Sequence, residues 1–312
     1  MLTLSLRSHA RDRAARVLVR LPLRSALELL GKWPGVLVLT YHRIGDSEGQ
    51  RWDHPMWSAS AEELDEQLET LALCTEVIDP CDVQAAMSAG RGRRVLITFD
   101  DGYRDNYELA FPLLRRHRLS ATFFLATGFL DRPRVAWWDE IAWMVRRAGD
   151  PTQRAADPRQ RTGPTLSSDG TPEGASLLPD GISFAIPHQD TAIAALIARY
   201  KELPDGLGER LLEELAETVG SERCGTGEVE DLWMTWGMVR ELHAAGMSIG
   251  GHTVTHPVLA RLSPERQREE LLACARRLSE EVGVAMRWFA YPVGTLDAFT
   301  PLTGQLLREC GV

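Results

Sequence analysis

The chain has 312 residues, 44% of them hydrophobic and 25% charged, with a formal net charge of -9 at pH 7. That length suits one α/β barrel of about 250 residues with insertions, and the acidic balance argues against nucleic acid, whose binders present basic surfaces to phosphates. Five cysteines, odd in number and without a C-x-x-C pair, exclude a disulfide framework and a zinc–thiolate site and fit reduced thiols.

Residues 1–34 form the first segment, in which Arg7, Arg11, Arg13, Arg16, Arg20, Arg24 and Lys32 face only Asp12 and Glu28. Basic residues recur too often to leave the apolar run of a signal peptide. The pattern predicts a basic amphipathic helix with Leu4, Val17 and Leu21 among its apolar content. Such a helix either caps one end of the barrel or lies on an anionic membrane surface through residues 1–30. The expected location is cytoplasmic, with peripheral membrane contact as the only membrane association.

The run from Val36 to His42 reads as a buried strand ending in polar groups. Ser60 and Glu63 form a capping box that opens a helix through Leu64, Leu68 and Leu71. Val77-Ile78 is a short strand, and a short helix over 82–88 follows. Val95-Leu96-Ile97-Thr98 is the next strand, and it stops on Phe99-Asp100-Asp101-Gly102-Tyr103. Alone, Asp-Asp-Gly reads as a turn. Two adjacent acids seldom both pack in a core, however, and at the carboxyl end of an α/β strand they can hang into a shared crevice.

A helix bearing Phe111 and Leu114 leads to the strand 121–127. Trp137-Trp138-Asp139-Glu140 then opens a helix to about Arg147. These residues sit just beyond a strand, where an α/β barrel keeps its binding loops; the competing reading has the tryptophans filling the barrel rim. From Asp150 to Asp190 prolines and glycines recur, and helical patterns resume over 191–201 and 208–219. Residues 149–232 are therefore a loop-rich and helical insertion. The helix 236–245 leads into Met247–His252, a further strand. Ser263-Pro264 opens a long helix, Arg287–Pro292 is the last strand, and one more helix starts near Leu302. Strands alternating with helices imply a parallel sheet with helices outside it.

His252 and His256, four apart across one helical turn, can turn both imidazoles toward one point. Two nitrogens and one carboxylate around a divalent cation leave positions open for water and substrate, the usual layout of a catalytic zinc site. A lone His-x3-His is a weak signal. Here it follows a strand ending in Gly250-Gly251, in a chain that already offers strand-end acids, and together they predict a metal site.

Thr98–Tyr103 and His252–His256, with the lead-in Leu39–Ile44 and the late stretch Phe289–Gly294 in the same order, resemble the polysaccharide deacetylases of the NodB-homology group. The resemblance covers roughly residues 35–145 and 233–312. It implies a distorted, seven-stranded (β/α) barrel built from 35–148 and 233–312, lacking its last strand or strands in this chain. It implies that Asp101, His252 and His256 hold one divalent cation, with zinc expected and other transition metals as alternatives. Asp100 would be the general base on water, and the backbone N–H of Val293 the oxyanion donor. Tyr103, Trp138, Asp139 and Tyr291 would bind substrate, with His42 and Arg43 in support.

The implied reaction removes N-acetyl groups from an amino sugar in a polysaccharide, oligosaccharide or glycolipid, with no obligate protein partner. Two departures stand against that pattern. Ala290 occupies the position where many members carry an arginine that orients the base, and Arg43 is the candidate substitute. No histidine follows His256 to act as the family's general acid, so the chain is expected to be truncated at its carboxyl end. The rival readings are a hydrolase of cyclic imides or ureides on the same fold, and a non-catalytic carbohydrate-binding relative.

Overall fold

A computed structural model of the chain describes residues 25, 27–28, 31–48, 50–148, 176–225, 229 and 231–312. The basic segment up to residue 24 and residues 149–175 of the insertion lie outside the described residues. No helix among the described residues is long and apolar enough to cross a membrane.

Five strands make one parallel sheet: β1 (Val36–Tyr41), β2 (Glu76–Val77), β3 (Arg94–Phe99), β4 (Thr122–Leu125) and β5 (Ser248–Gly251). Their order is β1–β3–β4–β5, and β2 pairs with the first two residues of β3. β3 is buried from Val95 to Phe99 because it has neighbours on both edges and side chains packed on both faces. β1 departs from the buried strand expected of it. Its burial alternates along the strand, and Val38 is 51% exposed.

Register aligns Tyr41, Phe99 and Phe123 across three strands, and their rings stack at 5.2 and 5.1 Å. Each such pair is worth about 0.5–1.5 kcal/mol beyond its buried area, so this ladder pins the sheet where its carboxyl ends open into the crevice. The outer helices α1 (Ala61–Cys74), α2 (Phe111–His117), α6 (Trp236–Ala244), α7 (Pro264–Val282) and α8 (Pro301–Glu309) bury leucines in the same core. The Ser60–Glu63 capping box forms as expected.

Residues 287–292 do not form the predicted strand. Only Phe289 bridges to Gly251, through Gly251 N–H donating to the Trp288 carbonyl (2.9 Å) and Ala290 N–H donating to that of Gly251 (3.0 Å). Pro292 has no N–H to continue a ladder, and Val293 turns the chain away at φ +68°. Among the described residues the sheet is thus an open parallel arc. Gly250 is required beside this crossing, since a Cβ there would lie 2.6 Å from the Phe124 ring and 2.9 Å from the Trp288 oxygen.

A second core joins α3 (Trp137–Ala148) to α4 (Gln189–Glu202) and α5 (Leu207–Val219). Ile141, Val145, Ile193, Leu196, Leu211 and Leu215 meet there, with Phe129 and Trp233 from the barrel side. The helical part of the insertion is packed against the barrel mouth through α3.

Candidate active site

Asp100 and Asp101 follow β3 directly, and the backbone there is held in an unusual shape. Asp101 takes φ +74° and Gly102 φ +94°. Asp100 N–H donates to the Tyr41 carbonyl (2.9 Å), Ala126 N–H to that of Asp101 (3.2 Å), and Met234 N–H to that of Gly102 (3.0 Å). A non-glycine residue in the left-handed region is uncommon and persists only when its surroundings over-determine it. Among the described residues five non-glycine positions have positive φ, and four of them are Asp101, Thr253, His256 and Val293.

The two histidines converge by a route the spacing did not predict. Residues 252–256 are a loop, not a helical turn, and it is the positive φ at Thr253 (+69°) and His256 (+55°) that turns it. Glu270 of α7 holds the loop, its carboxylate accepting from Val254 N–H (2.8 Å), Thr255 N–H (2.9 Å) and the Thr255 hydroxyl (2.7 Å). Thr253 Oγ1 accepts from His256 N–H (3.0 Å). His252 Nδ1–H donates to the Ala290 carbonyl (2.8 Å), which aims Nε2 at Asp101.

The result is a compact cluster. His252 Nε2 and His256 Nε2 lie 3.3 and 3.4 Å from Asp101 Oδ1, and one donor atom from each residue falls within 4.8 Å of the others. All three residues are buried. Burial pushes the Asp101 carboxyl up, but His256 and His252 outweigh it and hold the group at about 2. Burial pushes His256 down to about 3, leaving a neutral imidazole. Burial likewise opposes charge on His252, yet Asp101 and Asp100 beside it leave that group raised.

Both Asp101 oxygens, Asp100 Oδ1 and His256 Nδ1 are buried without a hydrogen-bond partner. A buried carboxylate lacking donors is costly. A cation among these ligands would relieve that cost, and two imidazoles with one carboxylate suit a divalent metal of the zinc type. The donor set therefore fits such an ion.

A cavity of about 420 Å³ opens over the cluster and is lined by His42, Asp100, Asp101, Trp138, His252, His256, Tyr291 and Val293 among others. Burial raises the Asp100 carboxyl above its usual range, against the pull of His252 and His42. Trp138 packs edge-on to His256 with ring centroids 4.5 Å apart, and Tyr291 is stacked on Phe299 at 4.1 Å.

Three expectations need correction. Tyr103 and Asp139 are fully buried and do not line this cavity. Tyr103 stacks on Trp233 (4.5 Å) and its hydroxyl donates to Asp139 Oδ2 (2.9 Å), while Asp53 N–H donates to Oδ1 (2.9 Å). The pair braces the loop carrying Asp53, beneath the surface a substrate meets. Arg43 does not reach Asp100, because its Nε donates to Asp105 (3.1 Å) and its guanidinium lies over Trp57 (4.1 Å) and Tyr103 (4.7 Å). His42 lines the cavity itself.

Several residues escape the sequence reading. Asp53, Met56, Ile197 and Lys201 line the same cavity, the last two from α4 of the insertion. Trp137, already named in the sequence beside Trp138, also lines it, backed by Tyr200 of the insertion at 4.1 Å. Glu270 carries a readable signal, an acid beside Leu271 and one turn before Cys274 on the buried face of α7. Glu270→Ala is expected to lower affinity for added divalent cation about 10–100-fold, the usual effect of losing a group that orients ligands, as measured by competitive metal titration.

Residues 88–150 and 215–312 match the family model described as "Polysaccharide deacetylase". Over 31 residues the chain is 58% identical to YxkH of Bacillus subtilis (strain 168), a protein given the same family name; that stretch is 10% of this chain and spans only 11% of the relative. Two solved structures share the fold. One is the Streptococcus pyogenes deacetylase PplD in complex with acetate, with 17% identity, a TM-score of 0.51, and coverage of 89% of this chain and 80% of that one. The other is IcaB from Ammonifex degensii, with 20% identity, a TM-score of 0.50, and coverage of 89% and 82%. The barrel of this group is thus the fold seen here, and with the family model matching just over half of its residues the chain belongs to the polysaccharide deacetylases.

Proposed function

We propose that this protein is a metal-dependent hydrolase that removes N-acetyl groups from an amino sugar. The observation that carries the reading is the buried Asp101–His252–His256 cluster with Asp100 beside it on the floor of an open cavity, in a chain of this family. A divalent ion held by those three residues would supply Lewis acidity toward water and the substrate carbonyl.

The chain's own residues account for the remaining roles. Asp100, with one oxygen unpartnered, accepts the proton of the attacking water, and its raised pKa moves it toward neutrality, where a general base works best. The backbone N–H of Val293 on the cavity wall donates to the oxygen that becomes negative as the carbonyl carbon turns tetrahedral. Tyr291, with one face stacked on Phe299, and the largely buried Trp138 line the cavity beside the sugar ring. The C–N bond then breaks as the proton taken up by Asp100 passes to the leaving nitrogen, giving acetate and an amine.

The test is acetate release from N-acetylglucosamine oligomers by the full chain with added zinc. Release at rates that respond to chelation and metal restoration supports the reading. Turnover of small cyclic imides in place of acetate release overturns it.

A further inference from the structure

A second cavity, of about 700 Å³, adjoins the one over the metal ligands, and the two share Asp53, Met56, Ile197 and Lys201 as wall residues. The outer cavity therefore lies directly beside the space over the metal ligands. Its lining differs in kind from that of the inner one. On one side is α4, where Ala194, Ile197, Ala198 and Lys201 recur at i, i+3, i+4 and i+7, a single helical stripe. On the other are Asp53, His54, Pro55 and Met56, with Asp190 at the start of α4.

That stripe overlaps only at Ile197 with the face by which α4 joins its core. Ala192, Ile193 and Leu196 are buried against α3 and α5, whereas Ala194 and Ala198 are exposed. A helix with one face in a core ordinarily places charged residues on the other. Here the outward stripe is aliphatic for about one turn, Ala194, Ile197 and Ala198, between Asp190 and Lys201, and its alanines leave open the space that longer side chains would fill. No tryptophan, tyrosine or phenylalanine is among the described residues lining the outer cavity, whose one ring is the imidazole of His54, while Trp137, Trp138 and Tyr291 line the inner one. The aromatic half suits a sugar ring, and the aliphatic half suits a flexible hydrocarbon. Leu296, 91% exposed and next in sequence to the cavity residue Thr295, leaves a further apolar side chain near the mouth.

We infer that the substrate is an amphiphile, an N-acetylated amino sugar bearing an aliphatic chain, with the sugar over the metal ligands and the chain along the α4 groove. The inference rests on the deacetylase reading and narrows it to a glycolipid. Asp53 and Lys201 mark the junction, where the polar sugar gives way to hydrocarbon.

Binding tests the groove whether or not the chain turns over. The probes are methyl and octyl glycosides of N-acetylglucosamine, used below the micellar concentration and titrated calorimetrically into the full chain with zinc. A fully buried methylene is worth about fourfold in Kd. A groove open on one side gives less, so the octyl compound is expected to bind at least about tenfold more tightly. Ala194→Glu and Ala198→Glu, both at exposed helical positions, should bring the ratio of the two Kd values to within about threefold, with circular dichroism verifying the fold. Equal Kd values for the two glycosides in the unaltered chain would overturn the inference, as would a ratio that survives both substitutions. Acetate release from both glycosides, measured in parallel, reports on the deacetylase reading separately, so the failure of one is distinguishable from the failure of the other.

Discussion

Asp101→Ala is expected to leave a protein that retains no stoichiometric divalent cation after gel filtration and releases acetate about 10³-fold more slowly or not at all. The carboxylate is the only anion in the ligand cluster, and both imidazole Nε2 atoms lie within 3.4 Å of one of its oxygens. Its loss removes the charge that attracts the cation as well as one ligand. Alanine at φ +74° adds local strain, so Asp101→Asn, which tolerates that conformation, is the better control for folding. Metal analysis of the two variants beside the unaltered chain decides the matter. Full metal content in both would remove Asp101 from the ligand set.

Asp100→Asn should give the opposite pairing of results: metal retained and acetate release lowered about 10²–10⁴-fold, the span expected when a general base is lost. The substitution is nearly isosteric, and Asp100 Oδ1 has no protein partner to lose. Its backbone N–H, bonded to Tyr41, is unaffected. Unchanged kcat with normal metal content would place the base elsewhere, and His42, on the same cavity wall, would be the next residue to replace.

Much of this was legible from local pattern. The β3 strand could be read directly, and its terminal acids, which alone read as a turn, became legible as a site once His252 and His256 were set beside them. Residue spacing also marked the two histidines, but for the wrong physical reason. They meet through two left-handed residues and a carboxylate from α7, not through a helical turn. Nothing local announces such a loop, since Thr253 is not a residue that favours positive φ.

Tyr103 and Asp139 mislead for a related reason. Polar aromatic and acidic residues beside a site read as substrate contacts, yet these two satisfy one another beneath the surface. Lys201 and Ile197 were illegible because only the packing of α4 on α3 brings them to the cavity. A segment that interrupts the family match, between residues 150 and 215, reads in sequence as an appendage and in space as part of the wall.

The parallel order of the sheet bears on how the chain is made. As a nascent chain leaves the ribosome, β1 to β4 can associate once residue 125 has emerged, and the acids at the end of β3 are then in place. The edge of β4 that β5 will occupy must wait for residues 248–251, on the order of a hundred residues later. An unpaired strand edge with apolar neighbours invites association with other chains. Between the two events the ribosome produces α3, α4 and α5, which share a core of their own beside the barrel mouth. Early collapse of these helices would shorten the path between β4 and β5 before the last strand arrives, a role in assembly separate from any contact with substrate.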